Sequence, residues 1–496
     1  MYFSLINLIV MDAIIFNPQY VLKQDSGRTL ILAAEVGRDS LKNINENFET
    51  FIHPVYAMIL SFIDGRSSQA CINTASQYLH VSPSKIEKFV NKLLDNPKYV
   101  KIETTTGASF FPPYTIIKSS GVIRNRRFKP EMFFYDYIDL RYKRHLTPTS
   151  VTLMVNNICE TKCYYCYADK SKPIQCKIPL KRIFEIISEA RLLNVRSFDV
   201  IGGEFFLYKD WKKLLEKLLD MGYNPYLSTK IPLDENIICT LQDLNIRDIQ
   251  ISLDSLIEEH LVSSLKVQQG YVNKIKETIN LLGKHGIEVM IHTVLSQKNS
   301  TIEDMESIYS FIRSINKIRE WKIDKAGQSM YAETDYADIE IGNDTLNTLC
   351  NYLMELEKQS CFDIRFPRPQ IPNQIPAKNT ASDFFNRGFC SGNFSSMFIL
   401  PDGNVTICEE LYWNPHFIMG NVLRQSLNDI WNSAKANSLF HLRQEDIPQD
   451  SLCHSCNKYV ECRSVKQVCY REIIKKYGKD KWYYPDVNCP YILKDR

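Results

Sequence analysis

The chain has 496 residues, 44% of them hydrophobic and 24% charged, with a formal net charge of +3. That length supports two to four domains with room for sizeable cores. So even a charge balance argues against a protein built chiefly to grip nucleic acid or an anionic membrane, and no apolar run is long enough to cross a bilayer.

The opening "MYFSLINLIV" is apolar but lacks the basic start and small-residue cleavage site of a signal peptide, and Met11 offers a second start. A cytoplasmic location is expected. From residue 11 to 105 the pattern is that of one small α/β domain. Two strand-like runs, "AIIFNPQYVLKQ" and "RTLILAAE", flank a turn at Asp25-Ser26-Gly27. Three helical patterns follow, the last placing Ile86, Phe89, Val90, Leu93 and Leu94 on one face behind a Ser82-Pro83 start. "YVKIE" reads as a closing strand, which makes the unit winged-helix-like. Lys85, Lys88 and Lys92 are balanced by Glu87 and Asp95, so no basic stripe marks a DNA reader. Residues 106–147 are expected to be a linker, and the basic run Arg124–Lys129 within it a solvated stretch.

From 148 to 345 strand and helix patterns alternate six times. The strands are "TSVTLMVN", "SFDVIGG", "NPYLSTK", "DIQISLD", "EVMIHTVLS" and "EWKIDKA". Repeated βα units predict a parallel sheet, and six are too few for a closed eight-stranded barrel, so an open partial barrel is expected. Chemistry in such folds sits at the C-terminal strand ends. There lie "CETKCYYC" after the first strand, Gly202-Gly203-Glu204 after the second, Ser228 after the third and Ser252 after the fourth. A helix and connector fill 346–385. Residues 386–496 are short elements, including a hairpin turn at Asp402-Gly403 and a helix capped by Ser426. So small a core usually needs metal staples.

The cysteines number 15, an odd count that argues against a disulfide framework in a chain without a signal peptide. Only Cys71 precedes residue 159; Cys159, Cys163 and Cys166 are spaced C-x3-C-x2-C, and seven more crowd into 390–489. Three thiolates fall one short of a structural zinc site. On a cubane [4Fe–4S] cluster they would leave one iron open to a ligand. By spacing alone, a zinc site completed by a remote residue stays open.

"CETKCYYC", "GGE" and the six-fold βα pattern resemble the radical S-adenosylmethionine (SAM) superfamily. The resemblance implies that Cys159, Cys163 and Cys166 ligate three irons and that SAM chelates the fourth through its amino and carboxylate groups. It further implies that cluster-driven cleavage of SAM yields a 5′-deoxyadenosyl radical that abstracts hydrogen. By the same resemblance Gly202, Gly203 and Glu204 receive the SAM amino group, Tyr165 lies by the adenine, and Ser228 and Ser252 reach the ribose or carboxylate. A reductant such as flavodoxin or ferredoxin is implied as a partner.

Cys390, then Gly403 and Cys408 with four residues between them, then Cys453, Cys456 and Cys462 at C-x2-C-x5-C, Cys469 and Cys489 resemble the SPASM extension of these enzymes. That likeness implies two auxiliary [4Fe–4S] clusters, three in all. Cys390, Cys408 and Cys469 would hold the first, and Cys453, Cys456, Cys462 and Cys489 the second. The departure is the six-residue gap before Cys469, where the family commonly has three. The N-terminal unit resembles domains that recognise leader peptides of ribosomally made natural products. It implies a precursor peptide that adds a strand to an exposed edge and lies against Ile86, Phe89 and Leu93. The expectation is a peptide-modifying radical SAM enzyme that closes a thioether or a carbon–carbon cross-link. A formylglycine-forming sulfatase maturase is the alternative, and a non-catalytic iron–sulfur scaffold or electron carrier is one of another class.

Overall fold

The Asp25–Gly27 turn organises the start of the protein. In the computed structural model, which describes residues 12–34, 48–119, 128–168, 172–331, 334–368, 381–411 and 414–492, the strands β1 (Ala13–Phe16), β2 (Tyr20–Asp25) and β3 (Arg28–Ala33) come first. The apolar opening 1–10, Met11 and the basic residues Arg124–Arg127 lie outside the described residues. β2 and β3 form an antiparallel hairpin with Gly27 at φ +69°. A side chain there would come within 2.8 Å of the Tyr137 ring and 2.9 Å of the Asp139 nitrogen, so the turn needs glycine on two counts. The chain divides into two units, residues 1–149 and 150–496.

In the first unit β4 (Glu49–Ile52) pairs with β3. The three expected helices run Pro54–Leu60, Ser68–Leu79 and Pro83–Leu93, with β5 (Asp64–Ser67) after the first. β6 (Val100–Thr104) and β7 (Gly107–Phe111) form a hairpin, and β8 (Ile116–Lys118) joins β1 and β5 in an antiparallel sheet. Two expectations change. Residues 106–147 are no linker, since β7 and β8 lie in them and the unit runs to Thr149. The face of Ile86, Phe89 and Leu93 is real, but all three are buried in the unit's own core. Periodicity reported a covered face, and the cover is this unit itself.

Residues 141–148 are clamped to the β2–β3 hairpin by buried charge. Arg28, 1% exposed, donates from Nε to Asp25 Oδ2 (2.7 Å), from Nη1 to the Arg141 carbonyl (2.6 Å) and from Nη2 to the Lys143 carbonyl (2.9 Å). Asp25 Oδ1 accepts from the Leu146 N–H at 2.6 Å, and Lys23 Nζ donates to the Pro148 carbonyl at 2.7 Å. Removing one member of such a buried pair leaves a charge unpaired, so Arg28→Met should cost about 3–5 kcal/mol, read as a lower denaturant midpoint. Burial holds the Lys23 ammonium down to about 7 against the pull of Asp25 and Glu49. The unfolded lysine, at about 10.4, therefore binds more protons between these values, and stability should rise as pH climbs from about 7 to about 10. In Lys23→Met that slope should flatten.

The second unit opens with β9 (Ser150–Met154) and β10 (Ser197–Ile201), paired in parallel. β11 (Ser228–Thr229), β12 (Asp248–Ser252), β13 (Glu288–Leu295) and β14 (Ile318–Lys325) make a second parallel run, extended by β15 (Asp363–Arg365). The six expected strands are these first six. The third is shorter than its sequence pattern, because Pro225 contributes no ladder donor. No β10–β11 pairing forms among the described residues. Side chains span the break: the Tyr226 N–H donates to Asp199 Oδ1 (3.1 Å) and the Thr229 hydroxyl to Glu204 Oε2 (2.9 Å). Amphipathic helices such as Leu180–Leu192, Trp211–Asp220 and Tyr271–Lys284 bury their apolar faces in the common core.

The expected C-terminal hairpin is β16 (Ser396–Ile399) and β17 (Asn404–Thr406), with Gly403 at φ +87° in its turn and β18 (Gly420–Asn421) beyond. β16 also pairs in parallel with β9, so the hairpin continues the barrel sheet. Ser426 caps the helix Leu427–Trp431 by accepting from the Asp429 N–H. Among the described residues no helix is long and apolar enough to cross a membrane.

Candidate functional site

The loop that carries the cysteine triplet is fixed from both sides before Cys159 begins. Asn156 is buried; its Oδ1 accepts from the Ile158 N–H (3.1 Å) and the Gly203 N–H (3.2 Å), and its Nδ2 donates to the Glu204 carbonyl (3.0 Å). Asn157 Oδ1 accepts from the Ile174 N–H at 2.7 Å and Nδ2 donates to the Lys172 carbonyl at 3.0 Å, closing the far side of the loop. The backbone of Gly203 and Glu204 donates to the Asn156 and Ile158 carbonyls at 2.8 and 2.7 Å. A Cβ on Gly203 would lie 2.4 Å from the Ile158 oxygen. The two glycines therefore allow the end of β10 to press against the root of the cysteine loop. The two asparagines were missed in the sequence. Their signal was a polar pair, "NN", at a strand end otherwise buried.

Cys159, Cys163 and Cys166 line a cavity of about 770 Å³, and the Thr161 hydroxyl stands 3.2 Å from the Cys159 sulfur and 3.4 Å from that of Cys163. Gly202, Gly203, Glu204, Ser228, Ser252 and Tyr165 line the same cavity, so every residue expected around SAM meets there. Two of their side chains are already engaged. Glu204 is 3% exposed, accepts from the Phe206 and Lys230 N–H groups and the Thr229 hydroxyl, and is pushed up to about 7 by burial. Tyr165 donates to Asp254 Oδ2 and accepts from Lys230 Nζ at 2.7 Å. Burial and the Asp254 charge hold its phenol well above the usual range.

Lys230 is a residue the sequence reading did not single out. Its ammonium bridges Tyr165 and Asp254, each at 2.7 Å, in the wall of the same cavity. Burial works against the charge, but Asp254 and the neighbouring Cys163 and Cys159 outweigh it and raise its pKa. Further along the wall His292 Nε2 meets Asp324 Oδ2 at 3.0 Å, and that bond, with Lys322, holds the Asp324 carboxyl down at about 2 despite partial burial. Glu410, ion-paired to Arg471, and Lys475 also line the cavity.

The C-terminal cysteines fall into two groups. Cys453, Cys456, Cys462 and Cys489 line one small cavity. Arg463 lines it too, 2% exposed, with Nε and Nη1 unpartnered and Nη2 donating to the Tyr484 carbonyl. Idle donors on a buried cation call for an anion in that space. Cys390 lies within electrostatic reach of both Cys469 and Cys408, and burial pushes Cys408 up to about 12. Gly392 lets the chain after Cys390 approach the backbone just before Cys408, since a Cβ there would sit 2.3 Å from the Ile407 oxygen. The six-residue gap before Cys469 is taken up by a π-helical turn, Val460–Val465, and by Gln467 at φ +64°. Among the described residues no three His, Cys, Asp or Glu side chains close around a single ion. Four thiols lining one cavity leave room for a multi-iron cluster among them.

Residues 153–312 match the radical SAM superfamily, and residues 390–457 match the SPASM iron–sulfur cluster-binding domain. The chain thus carries a radical SAM domain followed by a SPASM domain; it is an enzyme, and the cofactors of these domains are SAM, a [4Fe–4S] cluster and auxiliary iron–sulfur clusters. Among relatives, it is 22% identical over 294 residues to the sporulation killing factor maturation protein SkfB of Bacillus subtilis (strain 168), a match over 58% of this chain and 66% of SkfB. It is also 22% identical over 277 residues to a probable GTP 3′,8-cyclase of Sulfolobus acidocaldarius, covering 54% of this chain and 82% of that protein. The fold is that of Streptococcus suis SuiB bound to S-adenosylmethionine, with a TM-score of 0.63 at 15% identity over 96% of this chain and 100% of SuiB. SuiB bound to its precursor peptide SuiA gives 0.62 over the same share.

Proposed function

We propose that this enzyme modifies a ribosomally made precursor peptide, closing a thioether or a carbon–carbon cross-link. The observation that carries the reading is the extent of the shared fold. The likeness to SuiB spans 96% of the chain, so it takes in residues ahead of the barrel as well as the barrel and SPASM domain, and SuiB has been solved with a precursor peptide. The similarity to SkfB, a sporulation killing factor maturation protein, points the same way. In this reading the cytoplasm supplies a flavodoxin- or ferredoxin-like reductant.

Cys159, Cys163 and Cys166 hold the SAM-binding cluster, with Gly202, Gly203, Glu204, Ser228, Ser252 and Tyr165 around SAM. Cys390, Cys408 and Cys469 hold one auxiliary cluster, and Cys453, Cys456, Cys462 and Cys489 the other. When bound, these groups supply a 5′-deoxyadenosyl radical for hydrogen abstraction and an acceptor for the electron released as the bond closes. The protein's own share is to exclude water and place the peptide. The residue that bonds to the substrate carbon also loses a proton, and His292, oriented by Asp324 at 3.0 Å, stands in the cavity wall to take it.

Residues 1–149 act as the leader-recognition domain. Their deletion should leave uncoupled SAM cleavage in place while modification of a full-length precursor falls sharply. Mass spectrometry of the precursor, which loses two hydrogens per cross-link, and chromatography of 5′-deoxyadenosine read the two separately. Equal precursor modification by the truncated and intact enzymes would remove the leader-domain reading.

A further inference from the structure

The two auxiliary cysteine groups stand in opposite charge environments. Beside Cys462, Arg387 Nη2 lies 3.4 Å from the sulfur and donates to the carbonyls of Cys462 (2.8 Å) and Gln467 (2.7 Å). Its Nη1 donates to the Phe384 carbonyl at 2.9 Å, and its guanidinium stacks over the Phe384 ring at 4.2 Å, so the fork is fixed in place. Arg463 adds a second guanidinium in the wall of the same cavity, with two N–H-bearing nitrogens that no protein acceptor meets. The other group has Glu409 and Glu410 directly after Cys408 and Glu472 close by, three carboxylates against two cations, Arg471 and Lys475, each of which pairs with both Glu410 and Glu472.

We infer that Arg387 and Arg463 hydrogen-bond to the sulfurs of the cluster on Cys453, Cys456, Cys462 and Cys489 and make it the more easily reduced of the two auxiliary clusters. The inference rests on the ligand assignment given above. A thiolate-held cubane is anionic and becomes more so on reduction. Two fixed cations favour the reduced form, and N–H donors to sulfur act in the same direction. The carboxylates beside Cys408 do the reverse. An electron released in the barrel cavity, whose lining includes Glu410 and Arg471, then runs downhill from the cluster on Cys390, Cys408 and Cys469 to the cluster held by the arginines. Arg387 and Arg463 are positioning residues in this scheme, since neither lines the barrel cavity.

The test uses the full chain carrying Cys159→Ala, Cys163→Ala and Cys166→Ala, so that only auxiliary clusters contribute. Arg387→Gln, Arg463→Lys and the two combined are reconstituted anaerobically, assayed for iron and titrated potentiometrically with electron paramagnetic resonance detection. The expected result is unchanged iron, with one of two midpoint potentials moved negative in each variant and furthest in the combination, while the other midpoint stays put. Unchanged iron with both midpoints unmoved would overturn the inference. Should Arg463→Lys lose iron, Arg387→Gln still decides, because Arg387 meets Cys462 at the cavity's edge. Full iron and both signals in Cys453→Ala with Cys456→Ala would instead show that the ligand assignment had failed.

Discussion

Alanine at Cys159, Cys163 and Cys166 together should reduce 5′-deoxyadenosine production to background. These three thiols share the cavity that Gly202, Gly203, Glu204, Ser228 and Ser252 line, and among the described residues no other cysteine lines it. The C-terminal cysteines occupy their own surroundings and should keep their iron. Three cubane clusters bring roughly 12 irons per chain and two roughly eight. Iron analysis should therefore fall by about a third in the variant, while the ultraviolet–visible charge-transfer band persists at lower intensity. About four irons with one zinc in the intact protein would instead remove the auxiliary clusters from the account. Retained SAM cleavage in the triple variant would remove the first.

A single methyl group on Gly203 should come close to that effect by another route. Its Cβ would stand 2.4 Å from the Ile158 oxygen and 2.6 Å from the Asn157 and Ile158 carbonyl carbons, all of them backbone atoms with no rotamer to escape into. The strand end or the cysteine loop must move. The loop is held by four hydrogen bonds from Asn156 and the Gly203–Glu204 backbone, so the displacement is passed to Cys159. A displacement approaching 1 Å at reacting groups costs about 100-fold in rate. Gly203→Ala should lower SAM cleavage by about that factor with little loss of iron from the C-terminal clusters. Gly222, at φ +77° with nothing within 4 Å of an added Cβ, makes a control: alanine there strains the turn locally and should leave SAM cleavage near the wild-type rate.

What the sequence made legible was local. The cysteine spacing, the βα alternation and the glycine pair each sit within a few residues, and all three were found where expected. The pairing of β16 with β9 joins residues 246 positions apart in parallel, a relation that leaves no mark on either segment. β15 is three residues long and gives no alternation to read. Lys230 and Asp254 are ordinary residues at strand ends until the sheet brings them to 2.7 Å. The helix face of Ile86, Phe89 and Leu93 shows the opposite limit. Its apolar period was read correctly, but period alone does not say whether the covering partner is the same chain or a guest. Residues 106–147 were misread because β7 and β8 are short and the clamped segment after them is irregular, held by Arg28 from a hairpin more than 100 residues earlier.

The β9–β16 ladder also bears on how such enzymes can be recombined. β9 is the strand whose end launches the cysteine triplet, and on one side its backbone donors and acceptors are met by a segment that lies beyond the whole barrel in sequence. A chain cut after the sixth βα repeat would leave that edge bare, an invitation to intermolecular strand pairing. Swapping the C-terminal region between relatives would exchange the neighbour of the strand that roots the first cluster along with the cargo of cysteines. The seam for building chimeras falls before Ser150, where the two units divide. Barrel and cysteine-rich tail are better inherited as one piece.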